Sequence, residues 1–206
     1  VGRGEAQTSM FAIKTDNTLW AWGTNSGGEL GLNSLATLCY SSPVQVPGAT
    51  WCKVVTGFDN HLALRTDNTL WTWGAATDGA NGLNCATGAS SPTQLPGTWI
   101  DMTTQICGGL AIQADNTLWA WGNNNNGQLG QISRVHRSSP VQIPGTTWCQ
   151  VSAAERSIAA IKTDGTLWVW GANGSGQLGV DNKQARSSPT QVPGTTWCRV
   201  EMGPDR

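Results

Sequence analysis

A nine-residue phrase written four times constrains this chain more than any other feature. TDNTLWAWG (15–23) returns as TDNTLWTWG (66–74), ADNTLWAWG (114–122) and TDGTLWVWG (163–171). Its leading tryptophans, Trp20, Trp71, Trp119 and Trp168, set a period of about 50 residues, so one supersecondary unit is repeated. Side chains alternate along the phrase. Trp20 and Trp22 fall on one face of a strand, with Leu19 and Ala21 on the other. The pairs Trp71 and Trp73, Trp119 and Trp121, and Trp168 and Trp170 keep that order, backed by Thr72, Ala120 and Val169. A bulky face beside a slim one suits sheets stacked face to face.

The rest of the unit is legible around the phrase. Asp16-Asn17, Asp67-Asn68, Asp115-Asn116 and Asp164-Gly165 sit between β-forming flanks and predict tight hairpins. Glycine brackets the following loop in GTNSGGELG (23–31), GNNNNGQLG (122–130) and GANGSGQLG (171–179). The second copy, GAATDGANG (74–82), has Asn81 where the others have Leu30, Leu129 and Leu178, which predicts a locally weaker blade. SSPVQVPG, SSPTQLPG, SSPVQIPG and SSPTQVPG begin at Ser41, Ser90, Ser138 and Ser187. Proline cannot donate to a ladder, so these read as outer edge strands. A fourth strand begins at Trp51, Trp99, Trp148 and Trp197. Four strands in about 50 residues make a propeller blade. The expected fold is therefore all-β, a β-propeller of four-stranded antiparallel blades. Its repeats span 1–53, 54–101, 102–150 and 151–199, and 200–206 starts a further one. The twelve tryptophans, three per repeat, are assigned to the core.

The LWAWG strand, the GxxxxGxLG loop and the PVQV segment together resemble the regulator-of-chromosome-condensation repeat family, across nearly the whole chain. The phrasing TDNTLWAWG and SSPVQIPGTTW is similar to bacterial and phage members. The resemblance implies a propeller of about seven blades. It also implies a functional range from nucleotide exchange on a small GTPase with chromatin binding, through plant ultraviolet sensing, to bacterial inhibition of β-lactamase. Ultraviolet sensors of the family carry tryptophans after the glycine that opens the hairpin strand. GFDNHLAL (57–64) and its counterparts have none, and no inserted β-wedge like that of the exchange factors is visible. Four repeats are few for such a ring. Val1–Gly4, Val54–Gly57 and Val200–Gly203 share one repeat position, so the expectation is an arc whose remaining blades come from further chain or a partner copy.

Composition narrows the function classes. Charged residues are 12% of the chain against roughly 25% for an ordinary soluble domain, and Asn, Thr, Ser, Gln and Gly replace them. That suggests an extracellular or virion-exposed setting. A net charge of −1 gives no reason to expect nucleic acid. No stretch approaches about 18 continuous apolar residues, so no membrane span is expected. Cys52, Cys149 and Cys198 share a position filled by Ile100 in the second repeat, which predicts buried, inert thiols. Cys39 and Cys85 occupy equivalent loops and could pair in an oxidising compartment. No CxxC pair supports zinc, and each hairpin carboxylate is alone, which does not make a calcium loop. His61 is expected to hydrogen-bond within its blade, and neither it nor His136 has the partners of a catalytic triad. No catalytic residue, cofactor or metal is assigned.

The loops ahead of the SSP strands vary most. QISRVHR (131–137) and VDNKQAR (180–186) carry Arg134, His136, Arg137, Lys183 and Arg186, the candidate partner-binding residues. The expected function is a non-enzymatic scaffold for protein–protein interaction, binding a protein partner or copies of itself, as a structural or surface component of a virion or cell envelope. The alternative is a soluble regulatory binder, either an enzyme inhibitor or like an exchange factor.

Overall fold

The structure, a computed structural model, describes residues 9–34, 38–58 and 60–203. The Val1–Gly4 repeat position lies outside these. Among the described residues, β1 (Ser9–Ile13), β2 (Leu19–Thr24) and β3 (Cys39–Gln45) form a three-stranded sheet. Three four-stranded sheets follow. The second holds β4 (Trp51–Thr56), β5 (Asn60–Arg65), β6 (Leu70–Gly74) and β7 (Ala89–Leu95). The third holds β8 (Trp99–Gln105), β9 (Gly108–Gln113), β10 (Leu118–Gly122) and β11 (Arg137–Gln142). The fourth holds β12 (Trp148–Ala153), β13 (Ser157–Lys162), β14 (Leu167–Gly171) and β15 (Arg186–Val192). Every pairing is antiparallel between chain neighbours. Pro43, Pro92, Pro140 and Pro189 sit in β3, β7, β11 and β15, each at a sheet edge where its missing N–H costs no ladder bond.

The tryptophan-led strand does not close its own repeat. It opens the next sheet: β4 pairs with β5, β8 with β9 and β12 with β13. A repeat boundary at 53/54 therefore cuts through β4, and blades run from Trp51, Trp99 and Trp148 instead. These first strands are neighbours from one sheet to the next. There the Asp101 carboxylate meets Lys53 Nζ at 2.5 Å and accepts from the Val151 N–H at 3.2 Å, tying three successive inner strands together.

Between sheets, an aliphatic face meets a tryptophan face. Leu19, Ala21, Leu30 and Val46 pack on Trp51, Ala63 and Trp73. Leu62, Leu64, Leu70 and Leu95 pack on Trp99, Met102 and Trp121. Leu110, Ile112, Leu118 and Leu129 pack on Trp148, Val151 and Trp170. A lock repeats at each interface. The indole N–H of Trp73 donates to Glu29 O at 2.8 Å, that of Trp121 to Ala80 O at 3.1 Å and that of Trp170 to Gln128 O at 2.8 Å. The indole also lies on the glycine that ends the preceding loop. A methyl group on Gly31 would come within 3.1 Å of Trp73, one on Gly82 within 2.9 Å of Trp121, and one on Gly130 within 3.3 Å of Trp170. Those glycines are required on both counts, since each also has a positive φ.

The tryptophans are not uniformly core. Trp51, Trp73, Trp99, Trp121, Trp148 and Trp170 are fully buried, whereas Trp20, Trp22, Trp71, Trp119 and Trp168 are half-buried and Trp197 is 41% exposed. The phrase itself explains four of the half-buried set, Trp20, Trp71, Trp119 and Trp168. Asp16 Oδ1 accepts from the Thr18 backbone N–H (3.0 Å) and hydroxyl (2.6 Å), and Thr18 Oγ1 in turn accepts from Trp20 Nε1 at 2.9 Å. The same relay joins Asp67, Thr69 and Trp71, Asp115, Thr117 and Trp119, and Asp164, Thr166 and Trp168. The first indole of each pair is thus tied to its hairpin tip rather than driven into an interface. Cations cover several of these rings. Lys14 Nζ lies 3.6 Å from the Trp20 centroid, Arg65 4.0 Å from Trp71 and Lys162 4.4 Å from Trp168.

Candidate protein-docking rim

Each glycine loop is organised by one buried asparagine. Asn124 accepts the Leu129 N–H at Oδ1 (2.9 Å), and its amide donates to Ser133 O (2.9 Å) and Val135 O (3.0 Å). Asn173 repeats this with Leu178 N, Asn182 O and Gln184 O. The following loop is therefore clamped to the blade. In the second repeat Ala76 stands in that place, and Asn81 takes over the work. Fully buried, it donates to Thr87 O at 3.3 Å and to Cys85 Sγ at 3.5 Å, and accepts the Leu83 N–H at 3.1 Å. With Asn in place of Leu, Asn81 supplies the hydrogen bonds that Ala76 cannot.

On that frame loop 131–137 displays side chains to solvent. Arg134 and Arg137 are exposed, and between them and beside them so are Ile132 (80%) and Val135 (60%). Ile132 has φ 53, at a position where the other repeats place Asn33, Asn84 and Asp181 in the same left-handed backbone. Asparagine and aspartate tolerate that conformation; a β-branched residue is strained there. The Ile132 N–H donates to Ser187 O at 2.7 Å, which stitches the loop to the start of β15 and brings its base beside loop 180–186. Lys183 of that loop is exposed as well.

Two of the five sequence candidates are spent elsewhere. His136 is half-buried, and its Nδ1 accepts the Asn124 N–H at 3.1 Å. Arg186 is half-buried at the head of β15, paired opposite Gly171. Ile132 and Val135 were missed because isolated aliphatics in a loop give no periodic signal. The misfit between isoleucine and an Asn/Asp position was readable only with the register known.

Other groups give no reactive centre. His61 is fully buried, and its Nε2 meets Ser9 Oγ of the preceding sheet at 3.3 Å, so its contact is between blades and not within one. Burial lowers its pKa to about 3. Cys52, Ile100 and Cys149 are exposed, not buried, because each is the extra residue of a β-bulge. Burial of the sulfur still raises the Cys52 and Cys149 thiols, which lie 3.5 and 3.4 Å from Leu64 O and Ile161 O. No disulfide joins any of the six cysteines, Cys39 and Cys85 included. Among the described residues no group of three or more His, Cys, Asp or Glu could hold a metal. Among the described residues no helix is long and apolar enough to cross a membrane.

Antiparallel sheets stacked by repeated loop-to-indole locks define a β-propeller built of sequence repeats. Residues 115–161 and 164–204 match the Regulator of chromosome condensation (RCC1) repeat. The Ultraviolet-B receptor UVR8 of Arabidopsis thaliana is 34% identical over 76 residues, 35% of this chain and 17% of the receptor. Human WBSCR16 superposes with a TM-score of 0.79 at 21% identity, covering 91% of this chain and 51% of its own. Prp20p of Saccharomyces cerevisiae gives 0.75 at 18%, covering 91% and 49%. The chain spans about half the length of these solved relatives, and at such identities the likeness is one of fold.

Proposed function

We propose that this chain is a non-catalytic binding scaffold whose clamped loops 131–137 and 180–186 engage a protein partner. Ile132 and Val135 are the apolar anchors, and Arg134, Arg137 and Lys183 select an acidic surround. The observation that carries this reading is Ile132: a β-branched side chain held 80% exposed in left-handed backbone. Strain of that kind together with solvent-facing apolar surface is costly unless something covers it. Solved relatives are consistent with protein partners. The Prp20p structure is described with its binding to Gsp1p and histones, and a second yeast structure shows Kap60 bound to RCC1 (Prp20). The sparse charge supports the finer proposal of an extracellular or virion-exposed surface component.

The test compares partner capture by the wild-type chain with capture by Ile132→Asn/Val135→Ser and by Arg134→Ala/Arg137→Ala. Asparagine relieves the backbone strain, so the first variant should keep its fold while losing the partner. Retention of the same partner by both variants refutes the rim. Many ordered copies within an assembly would support the surface-component proposal, whereas a soluble one-to-one complex would favour a regulatory binder.

A further inference from the structure

We infer that the third sheet holds an aromatic socket, centred on Trp119, for a lysine or arginine side chain of a partner protein. The molecule itself shows the occupant. In the other three sheets the residue two places before the hairpin aspartate is a cation, and it caps the first indole of the phrase. Lys14 Nζ lies 3.6 Å from the Trp20 centroid, Arg65 Cζ 4.0 Å from Trp71 and Lys162 Nζ 4.4 Å from Trp168. Arg65 and Lys162 also reach the tryptophan that opens their sheet, 4.5 Å from Trp51 and 4.7 Å from Trp148. The third sheet has Gln113 at that position. Among the described residues no lysine or arginine lies over Trp99 or Trp119.

A cavity of about 360 Å³ stands there, lined by Pro96, Gly97, Trp99, Gln113, Trp119 and Pro140. None of these belongs to the rim of loops 131–137 and 180–186. A methyl group on Gly97 would meet Gln113 Nε2 at 2.7 Å and Trp99 Nε1 at 3.1 Å, so the glutamine amide sits beside Trp99. Half-buried Trp119 supplies the other indole wall. The loop leading to Trp99 departs from the repeat as well. PGTW (96–99) is one residue shorter than PGATW (47–51) and PGTTW (144–148), and both departures border this one cavity. Charge is unmatched on the same hairpin. Each hairpin aspartate is lowered first by its threonine. Lys14, Arg65 and Lys162 lower Asp16, Asp67 and Asp164 further, whereas no cation acts on exposed Asp115. An indole face with an uncompensated carboxylate two residues beyond Gln113 suits a cation. A lysine or arginine also brings an aliphatic stem that fills the space between the prolines, as a compact ion does not.

The experiment follows the twelve indole N–H resonances of the full chain by nitrogen-15 NMR. The Trp119 signal is the one missing from Trp119→Phe. The probes are N-acetyl-lysine N-methylamide and its arginine counterpart, with the norleucine counterpart as a neutral side chain of the same stem. The expected result is a saturable shift of the Trp119 resonance with a cationic probe and none with norleucine. Gln113→Lys installs the residue type that the fourth sheet carries at Lys162. It should weaken probe binding by at least about tenfold, in line with a partly desolvated cation–π contact already filled from within. Its remaining indole resonances, unchanged, show that the fold is kept. A Trp119 resonance that neither cationic probe shifts, an equal shift with norleucine, or binding that survives Gln113→Lys undiminished each overturn the inference. Binding of tetramethylammonium with neither amide binding overturns it too, since the cavity would then take a free small cation and not a side chain.

Discussion

At the scale of single residues, the Ala76/Asn81 exchange is the sharpest test of how the loops are held. Asn81→Leu restores the residue of the other repeats but removes three hydrogen bonds from a fully buried site. It should cost about 2–3 kcal/mol at roughly 1 kcal/mol per bond. Ala76→Asn/Asn81→Leu should regain most of that, because the clamp returns to the place Asn124 occupies. Urea denaturation of the three proteins measures it, and a double variant no better than the single one refutes the exchange. Titration supplies a second test. Burial lowers His61 to about 3 from 6.5, so it stays neutral in the folded state while the unfolded chain binds a proton. The stability it contributes is whole above 6.5 and declines as pH falls toward 3, at most about 1.4 kcal/mol per pH unit. Melting at pH 7 and 5 should show a loss that His61→Gln lacks. The four hairpin carboxylates act further down. Hydrogen bonds from Thr18, Thr69, Thr117 and Thr166 hold Asp16, Asp67, Asp115 and Asp164 below the usual 3.8. Their contribution is present above 3.8 and lost as pH falls below it, so Asp67→Asn/Asp115→Asn should flatten only that acid limb.

At the scale of the element, the glycine-to-indole lock predicts an inequality between positions that look identical in sequence. Gly82→Ala sets a methyl group 2.9 Å from Trp121 at φ 69, and Gly179→Ala meets nothing at φ 64. The backbone penalty is common to both, so the difference reports the lock. Gly82→Ala should be the worse by about 1–3 kcal/mol, the range for overpacking a filled interface. Equal losses in thermal denaturation refute the lock. That pair also shows what the sequence could say. The hairpins, the proline edge strands and the period were legible, because each rests on local chemistry repeated four times. The sheet to which the tryptophan-led strand belongs was not. Hydrogen-bond partnership between repeats leaves no mark in a pattern that reads the same whichever neighbour is chosen. The exposure of Cys52 and Cys149 was hidden for a related reason: a bulge shifts the alternation by one residue, and nothing at Trp51-Cys52 announces it. The rim was half legible. Charge picked out Arg134, Arg137 and Lys183, but His136 and Arg186 are drawn into the frame by contacts that depend on the fold.

At the scale of the molecule, each sheet touches only its neighbours, so stability is a sum over sheets and the interfaces between them. Among the described residues the second and third sheets pack against a sheet on each face, and the first and fourth against one sheet. Local opening should follow that gradient. In dilute solution, hydrogen exchange read by mass spectrometry should be slowest for β5, β6, β9 and β10. It should be faster for β1, β2 and β14, which have the same strand chemistry but less cover. If the end sheets exchange as slowly as the middle ones in dilute solution, the one-dimensional account of stability fails.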